Sequence, residues 1–180
     1  YECLLALANL SHHFVPDDRI PGKLQPGNPN YELSHGSAAI PDYLAALGAR
    51  SGAPPGASRR QQMAAAFDAI ADHEERLAER VLAFWRSRSD IRIIGPTDSG
   101  RATRVPTISF VVNGRGSQSV VRAMDPMRIG IRFGDFYSRR LIDDLGLAAG
   151  EGVVRASFAH YNSRADADRI LSCIVRIENP

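Results

Sequence analysis

The amino-acid sequence predicts an α+β layer: a small sheet with helices on one side. Three observations predict it. Four short runs read as strands, helical patterns are interleaved with them, and the longest helical pattern carries a single apolar stripe.

The elements follow in chain order. ECLLALANL (2–10) running into SHHFVPDD reads as a helix end passing into a loop. Residues 20–36 are rich in Gly, Pro and Asn and read as a long irregular stretch, a length that in compact domains points to function or to disorder. AAIPDYLAALG is helical, with Ile40, Tyr43, Leu44 and Leu47 on one face and Gly48 as its stop. ARSGAPPGAS (49–58) is a Pro/Gly/Ser linker and the best internal boundary. The longest helix spans about 59–87, with Met63, Phe67, Ile70, Leu77, Val81 and Phe84 at helical spacing. IRIIG (91–95) and VPTISFVV (105–112) are strands, the second closed by a turn at Asn113-Gly114. GSQSVVRAMDP is a short helix ended by Pro126. MRIGIRFG (127–134) alternates Ile129, Ile131 and Phe133 against Arg128, Gly130 and Arg132, as a strand does. FYSRRLIDDLG is a helix stopped by Gly146. GVVRASFAH (152–160) is the fourth strand. Ser163 and Asp166 form a capping box that opens a last helix, with Ala167, Ile170, Leu171, Ile174 and Ile177 inward. Residues 1–48 contain no strand and read as the tail of another domain whose bulk lies upstream, with 59–180 as the domain proper. The chain starts at Tyr1, so the expectation is a piece of a longer protein.

Composition limits the function classes. With 44% hydrophobic and 23% charged residues among 180, the chain is ordinary for a soluble globular protein. A net charge of +2 argues for neither nucleic acid nor a membrane surface as partner. The apolar run at 2–10 is too short to span a membrane, and no basic segment precedes it. Cys3 and Cys173 stand near opposite ends with no metal or redox spacing, which fits a reducing, cytoplasmic setting. Lys23 is the only lysine, so lysine chemistry has one candidate here.

The residue that raises the chemical question is Arg155. It interrupts an apolar strand, keeps its charge at any physiological pH, and therefore requires an anionic partner. A structural ion pair at the strand end is one answer. A carboxylate held bidentately beside a cavity, with small Ser157 on the same strand face, is the other. Arg132, near the end of the preceding strand, either converges on the same anion or pairs with Asp135. The turn Gln25–Asn30 offers Gly27 for close backbone approach and Asn28 as a side-chain donor to an anion. His160 and Tyr161 follow Arg155 and either close the same pocket or pack. His12-His13 lacks a third ligand at a suitable spacing, so no metal is expected. Lys23 lies in an irregular loop without a rigid element to hold it. No P-loop, dinucleotide fingerprint or nucleophile elbow is present.

Three segments together resemble a known family. LQPGNPNYELSHGSAAIPDYLAALG resembles its Gly-Thr-Pro-like turn and following helix, IGIRFGDFYSRRLI its Arg-x-Gly loop, and GVVRASFAHYNSRADADRIL its Arg-x-Ser strand, Tyr-Asn pair and final helix. The chain is thereby identified as a member of the class V aminotransferase group of pyridoxal-phosphate enzymes, which includes cysteine desulfurases and selenocysteine lyases. The resemblance implies a fold-type I enzyme of which this chain is the C-terminal portion. That portion comprises the end of the large cofactor domain and the small domain, with a four-stranded, mostly antiparallel sheet.

The resemblance also implies roles. Arg155 binds the α-carboxylate of an amino-acid substrate, and Arg132 lines the same site. Gly27 and Asn28, where the family has Gly-Thr, touch the phosphate of pyridoxal 5'-phosphate in the partner subunit of a homodimer. Two departures stand out. Tyr137 occupies the position at which cysteine desulfurases carry their sulfur-accepting cysteine. Lys23 does not match the cofactor-bearing lysine, which is expected upstream, so this stretch alone is expected to be inactive. A free-standing α+β amino-acid-binding regulatory domain, or a dimerisation module, is the alternative that the residues leave open.

Overall fold

The computed structural model describes residues 2–10, 13–25 and 27–178, with Ile177 and Glu178 as backbone only. The described residues fall into two compact units, one up to Met63 and one from Ala64 onward.

The first unit is helical. It holds α1 (Glu2–Leu5), a 3-10 turn (Gly22–Leu24), α2 (Tyr31–Ala38) and α3 (Ile40–Arg50). The expected irregular stretch at 20–36 is corrected here, because Asn30 caps α2 by accepting from the Leu33 amide at 2.8 Å. That signal was readable in the sequence as an Asn before a helical run. Gly48 does not stop α3, which runs on to Arg50 with Gly48 buried in its interior. Of the expected α3 face, only Leu44 is buried, while Ile40 and Tyr43 are exposed. Leu44 is also the only buried apolar side chain among the described residues of this unit.

The helix α4 (Arg59–Arg86) opens with a capping box in which the Ser58 amide donates to Gln61 Oε1 at 2.8 Å. Its buried positions are Ala66, Leu77, Ala78, Val81, Leu82 and Trp85. The expected stripe is thus right at Leu77 and Val81 but not at Phe67, which is exposed. The core anchor is Trp85, whose ring lies 4.1 Å from that of Phe110.

The second unit contains the sheet. Its strands β1 (Ile91–Ile94), β2 (Thr107–Val112), β3 (Arg132–Gly134) and β4 (Val153–Ser157) lie in the order β1-β2-β4-β3, and every pairing is antiparallel. Between them run α5 (Ser117–Met124) and α6 (Arg139–Asp144), and α7 (Arg164–Glu178) closes the chain. The α+β expectation, a four-stranded antiparallel sheet with helices packed on it, is what the structure shows. One sheet face supplies Ile108, Phe110, Val154 and Ala156 to a core shared with α4, α5 and α7. Cys173 is part of that core, and the side chain of Ile177 lies outside the described residues.

Two boundaries differ from the sequence reading, each for a local reason. The expected strand at 127–134 keeps its alternating burial, but only Arg132–Gly134 joins the sheet. Arg128 is left-handed at φ 56°, and the Ile131 amide turns back to Ile129 O. The expected helix at 136–146 starts only at Arg139, because Phe136 and Tyr137 are both left-handed, with φ of 50° and 62°.

Candidate functional site

The register brings Arg132 and Arg155 together. They are direct cross-strand partners, so both side chains rise from the same face of the sheet, opposite the core. The row continues across the sheet through Ser109 on β2 to Ile94 on β1. Beside it, Thr107 Oγ donates to Ser157 Oγ at 3.2 Å. An open depression follows on this face, lined by Ile94, Arg104, Val105, Thr107 and Ser109.

Among the described residues the side chains of Arg132 and Arg155 make no hydrogen bond and no ion pair, and the Arg155 guanidinium lies against the Phe136 ring. Asp135, the expected alternative partner of Arg132, instead accepts from the Tyr137 amide at 3.0 Å. Two like charges directly opposite each other on neighbouring strands repel. Nearby Arg104 shows how this fold satisfies a guanidinium it keeps for structure. Its nitrogens donate to the Val105 and Thr107 carbonyls at 3.4 and 2.7 Å and also to Pro96 O. Burial pushes its pKa below the usual guanidinium value, with the Asp98 charge acting the other way.

Local backbone sets this geometry. Gly134 has φ 132° and Gly152 φ 80°. A Cβ on Gly152 would stand 2.3 Å from Gly134 O, so only glycine lets the start of β4 approach the end of β3 this closely. The turn that follows, Asp135 to Ser138, is closed by the Ser138 amide on Asp135 O at 2.8 Å. It carries Phe136 over Arg155, with the Arg155 Cζ 3.9 Å from the ring centroid.

The remaining candidates are placed as follows. Tyr137 stands at the tip of that turn, fully exposed. His160 and Tyr161 meet edge to face at 5.6 Å. The adjoining Asn162 is structural: its side chain accepts from the Ala159 amide at 2.8 Å. In the first unit, Gly27 and Asn28 are exposed immediately ahead of α2, and a Cβ on Gly27 would meet nothing. Lys23 is only 1% exposed and donates to Leu5 O and Leu7 O at 2.7 and 2.8 Å. It caps the end of α1, as a basic side chain near a helix C-terminus does. His12 lies outside the described residues, and His13 packs edge to face on Phe14. Sequence reasoning did not find Phe136, Thr107 or Ser109, because their place beside Arg155 depends on register and on a turn without glycine.

Solved structures that share this fold include cysteine desulfurases. The apo cysteine desulfurase of Thermococcus onnurineus NA1 matches with a TM-score of 0.54 and 22% identity, over 70% of this chain and 32% of that one. The family model for aminotransferase class-V matches residues 57–170, and the chain belongs to that family, which embraces the cysteine desulfurase-like proteins. Among curated relatives, the aminotransferase-like protein FGM3 of Gibberella zeae is 38% identical over 92% of this chain and 38% of its own length. A cysteine desulfurase of Haloferax volcanii is 29% identical over 86% of this chain and 31% of its own length. The chain therefore spans less than two fifths of these relatives.

Proposed function

We propose that this chain is the C-terminal part of a pyridoxal-phosphate-dependent enzyme acting on an amino acid, with Arg155 and Arg132 binding the substrate's α-carboxylate. The observation that carries this is the cross-strand arginine pair, unmatched by any anion among the described residues. A carboxylate placed between them removes the repulsion and gains charge-assisted hydrogen bonds.

The residues fit the cofactor in part. The Asn28 side-chain amide makes no hydrogen bond among the described residues; at the start of α2 the Leu33 and Ser34 amides are taken by Asn30, which leaves those of Tyr31 and Glu32. Gly27 and Asn28 are exposed just ahead of that helix, with nothing within reach of a Cβ at Gly27, and in this reading they meet the phosphate bound to the partner subunit of a homodimer. Lys23 does not fit as the residue that holds the ring, since its ammonium is engaged by two carbonyls; in this reading that lysine lies upstream. When bound, the cofactor supplies an electron sink. The residues of this chain orient the substrate by its carboxylate and so decide which bond at Cα faces the ring.

In this reading residues 1–48 are the tail of the large domain, 49–58 a linker and 59–180 the small domain. Leu44 as the only buried apolar side chain among the described residues of the first unit, beside exposed Leu7, Leu10, Tyr31, Leu33 and Ile40, supports a segment completed by other parts of the protein. Tyr137 carries no thiol, so sulfur removal through a persulfide at that position is not expected.

The test is the absorbance of the intact protein with pyridoxal phosphate. A cofactor band that shifts with an L-amino acid is expected, and Arg155→Ala should keep the band and lose the shift. A protein that takes up no pyridoxal phosphate overturns the cofactor assignment, and a shift unchanged in Arg155→Ala overturns the clamp.

A further inference from the structure

We infer that Phe136 is a positioning residue that fixes the plane of the Arg155 guanidinium for carboxylate binding. This rests on the carboxylate clamp proposed above and adds to it a residue on a different segment.

The backbone that carries Phe136 is one its side chains do not favour. Asp135-Phe136-Tyr137-Ser138 is a four-residue turn with its first carbonyl bonded to its last amide and both central residues at positive φ, 50° and 62°. Such a turn calls for Asn-Gly, Asp-Gly or Gly-Gly at its centre. Phe and Tyr are poor choices, since a side chain with a Cβ is strained in the left-handed region. Strain of this kind persists where the surroundings over-determine it, and here they do. Asp135 accepts the Tyr137 amide, and the close passage of Gly152 past Gly134 fixes the root of the turn. The turn gains nothing from a phenyl ring at its first central position. What the ring does is lie on Arg155.

The distance defines the contact. At 3.9 Å from the ring centroid, the Arg155 Cζ is in stacking contact. An N–H aimed at the ring would hold Cζ farther off. A stacked ring covers one face of the guanidinium and leaves its in-plane N–H groups free. Those N–H groups are the ones a bidentate carboxylate uses. Phe136 therefore does not compete with the anion. It restricts the rotation of a long side chain that has no other partner among the described residues, so less freedom remains to be lost on binding.

The experiment uses the intact protein with its cofactor and two probes, L-alanine and ethylamine, each titrated through the change in cofactor absorbance. The probes differ in the carboxylate and share the amine. Phe136→Ala is expected to weaken L-alanine about tenfold while leaving ethylamine unchanged. Phe136→Trp restores the ring and is expected to recover L-alanine binding to within about threefold. Thermal midpoints within a few degrees of wild type show that the turn has kept its shape. Equal L-alanine binding in wild type and Phe136→Ala, with Arg155→Ala weakened, overturns the role of Phe136 and spares the clamp. Equal loss of both probes in Phe136→Ala, or no rescue by Trp, makes the role structural and overturns the inference. An Arg155→Ala protein that still binds L-alanine normally overturns the clamp itself.

Discussion

The two faces of the sheet are built on opposite terms. On one face Val154 and Ala156 alternate into a core with Ile108, Phe110 and Trp85, all of them buried. On the other face the same strand presents Arg155 and Ser157, and its neighbour presents Arg132 directly opposite Arg155. The first arrangement removes apolar surface from water and so stabilises. The second sets two cations side by side with no counter-ion among the described residues, which folding alone does not favour. A strand that alternates between these demands teaches that its second face answers to something outside the described residues.

The largest effect that tests this contrast lies on the packed face. Phe110 is fully buried against Trp85. Phe110→Ala should cost about 3–5 kcal/mol of stability, read from urea or thermal unfolding. A much smaller loss would mean that the sheet is not held by this core. Next comes the open face, where the currency changes from stability to affinity. Arg155→Ala should lower stability by less than about 1 kcal/mol. The same substitution should weaken amino-acid binding by about 2–5 kcal/mol, measured by titration. A large loss of stability with unchanged binding would make Arg155 a structural residue and erase the difference between the faces. Gly152→Ala tests the junction of the two. The added Cβ would meet Gly134 O at 2.3 Å on a residue at φ 80°, a strain of about 1–3 kcal/mol. The β3–β4 approach should loosen, and substrate affinity should fall along with the unfolding midpoint.

The packed face was far more legible in the sequence than the open one. Alternation in TISFVV and over Val154–Ser157, and the apolar stripe of the last helix, are local patterns that survive in the structure because burial follows them there, while Val153 is buried on the face it shares with Arg155. Even the part of residues 127–134 that never joins the sheet keeps its alternating burial. Arg155 and Arg132 were legible as charges in need of a partner. That they face each other was not, because register depends on two strands at once and no local pattern records it. Phe136 was hidden for a different reason. FYSRRLIDDLG has helical spacing and lacks the glycine or asparagine that announces a left-handed turn, so local propensity pointed to helix where tertiary contacts impose the turn. The start of the helix at Tyr31 is masked in the residue pattern by the Gly and Pro just ahead of it, although Asn30 caps it and the resemblance places a helix after that turn.

The smallest expected effect concerns the α7 cap, on the packed side. Ser163 and Asp166 form the capping box: the Ser163 amide and hydroxyl both donate to Asp166 Oδ2, at 2.8 and 2.9 Å. The backbone hydrogen bond from Ser163, and then its hydroxyl, hold the Asp166 carboxyl below the usual carboxylate range. A carboxyl whose folded pKa is depressed contributes stability above its unfolded pKa, and the contribution is lost as pH falls through the folded value. Removing the hydroxyl in Ser163→Ala should therefore bring the Asp166 pKa closer to its unfolded value. The acid limb of the stability curve should become shallower, with a modest decrease at neutral pH from the lost cap. Urea midpoints of wild type and variant, measured from neutral pH down to about pH 3, should converge toward the acid end. The amino-acid affinity of Ser163→Ala at neutral pH should match wild type, since this cap belongs to the packed face. A variant that loses affinity while keeping its stability would show that the two faces are coupled through α7.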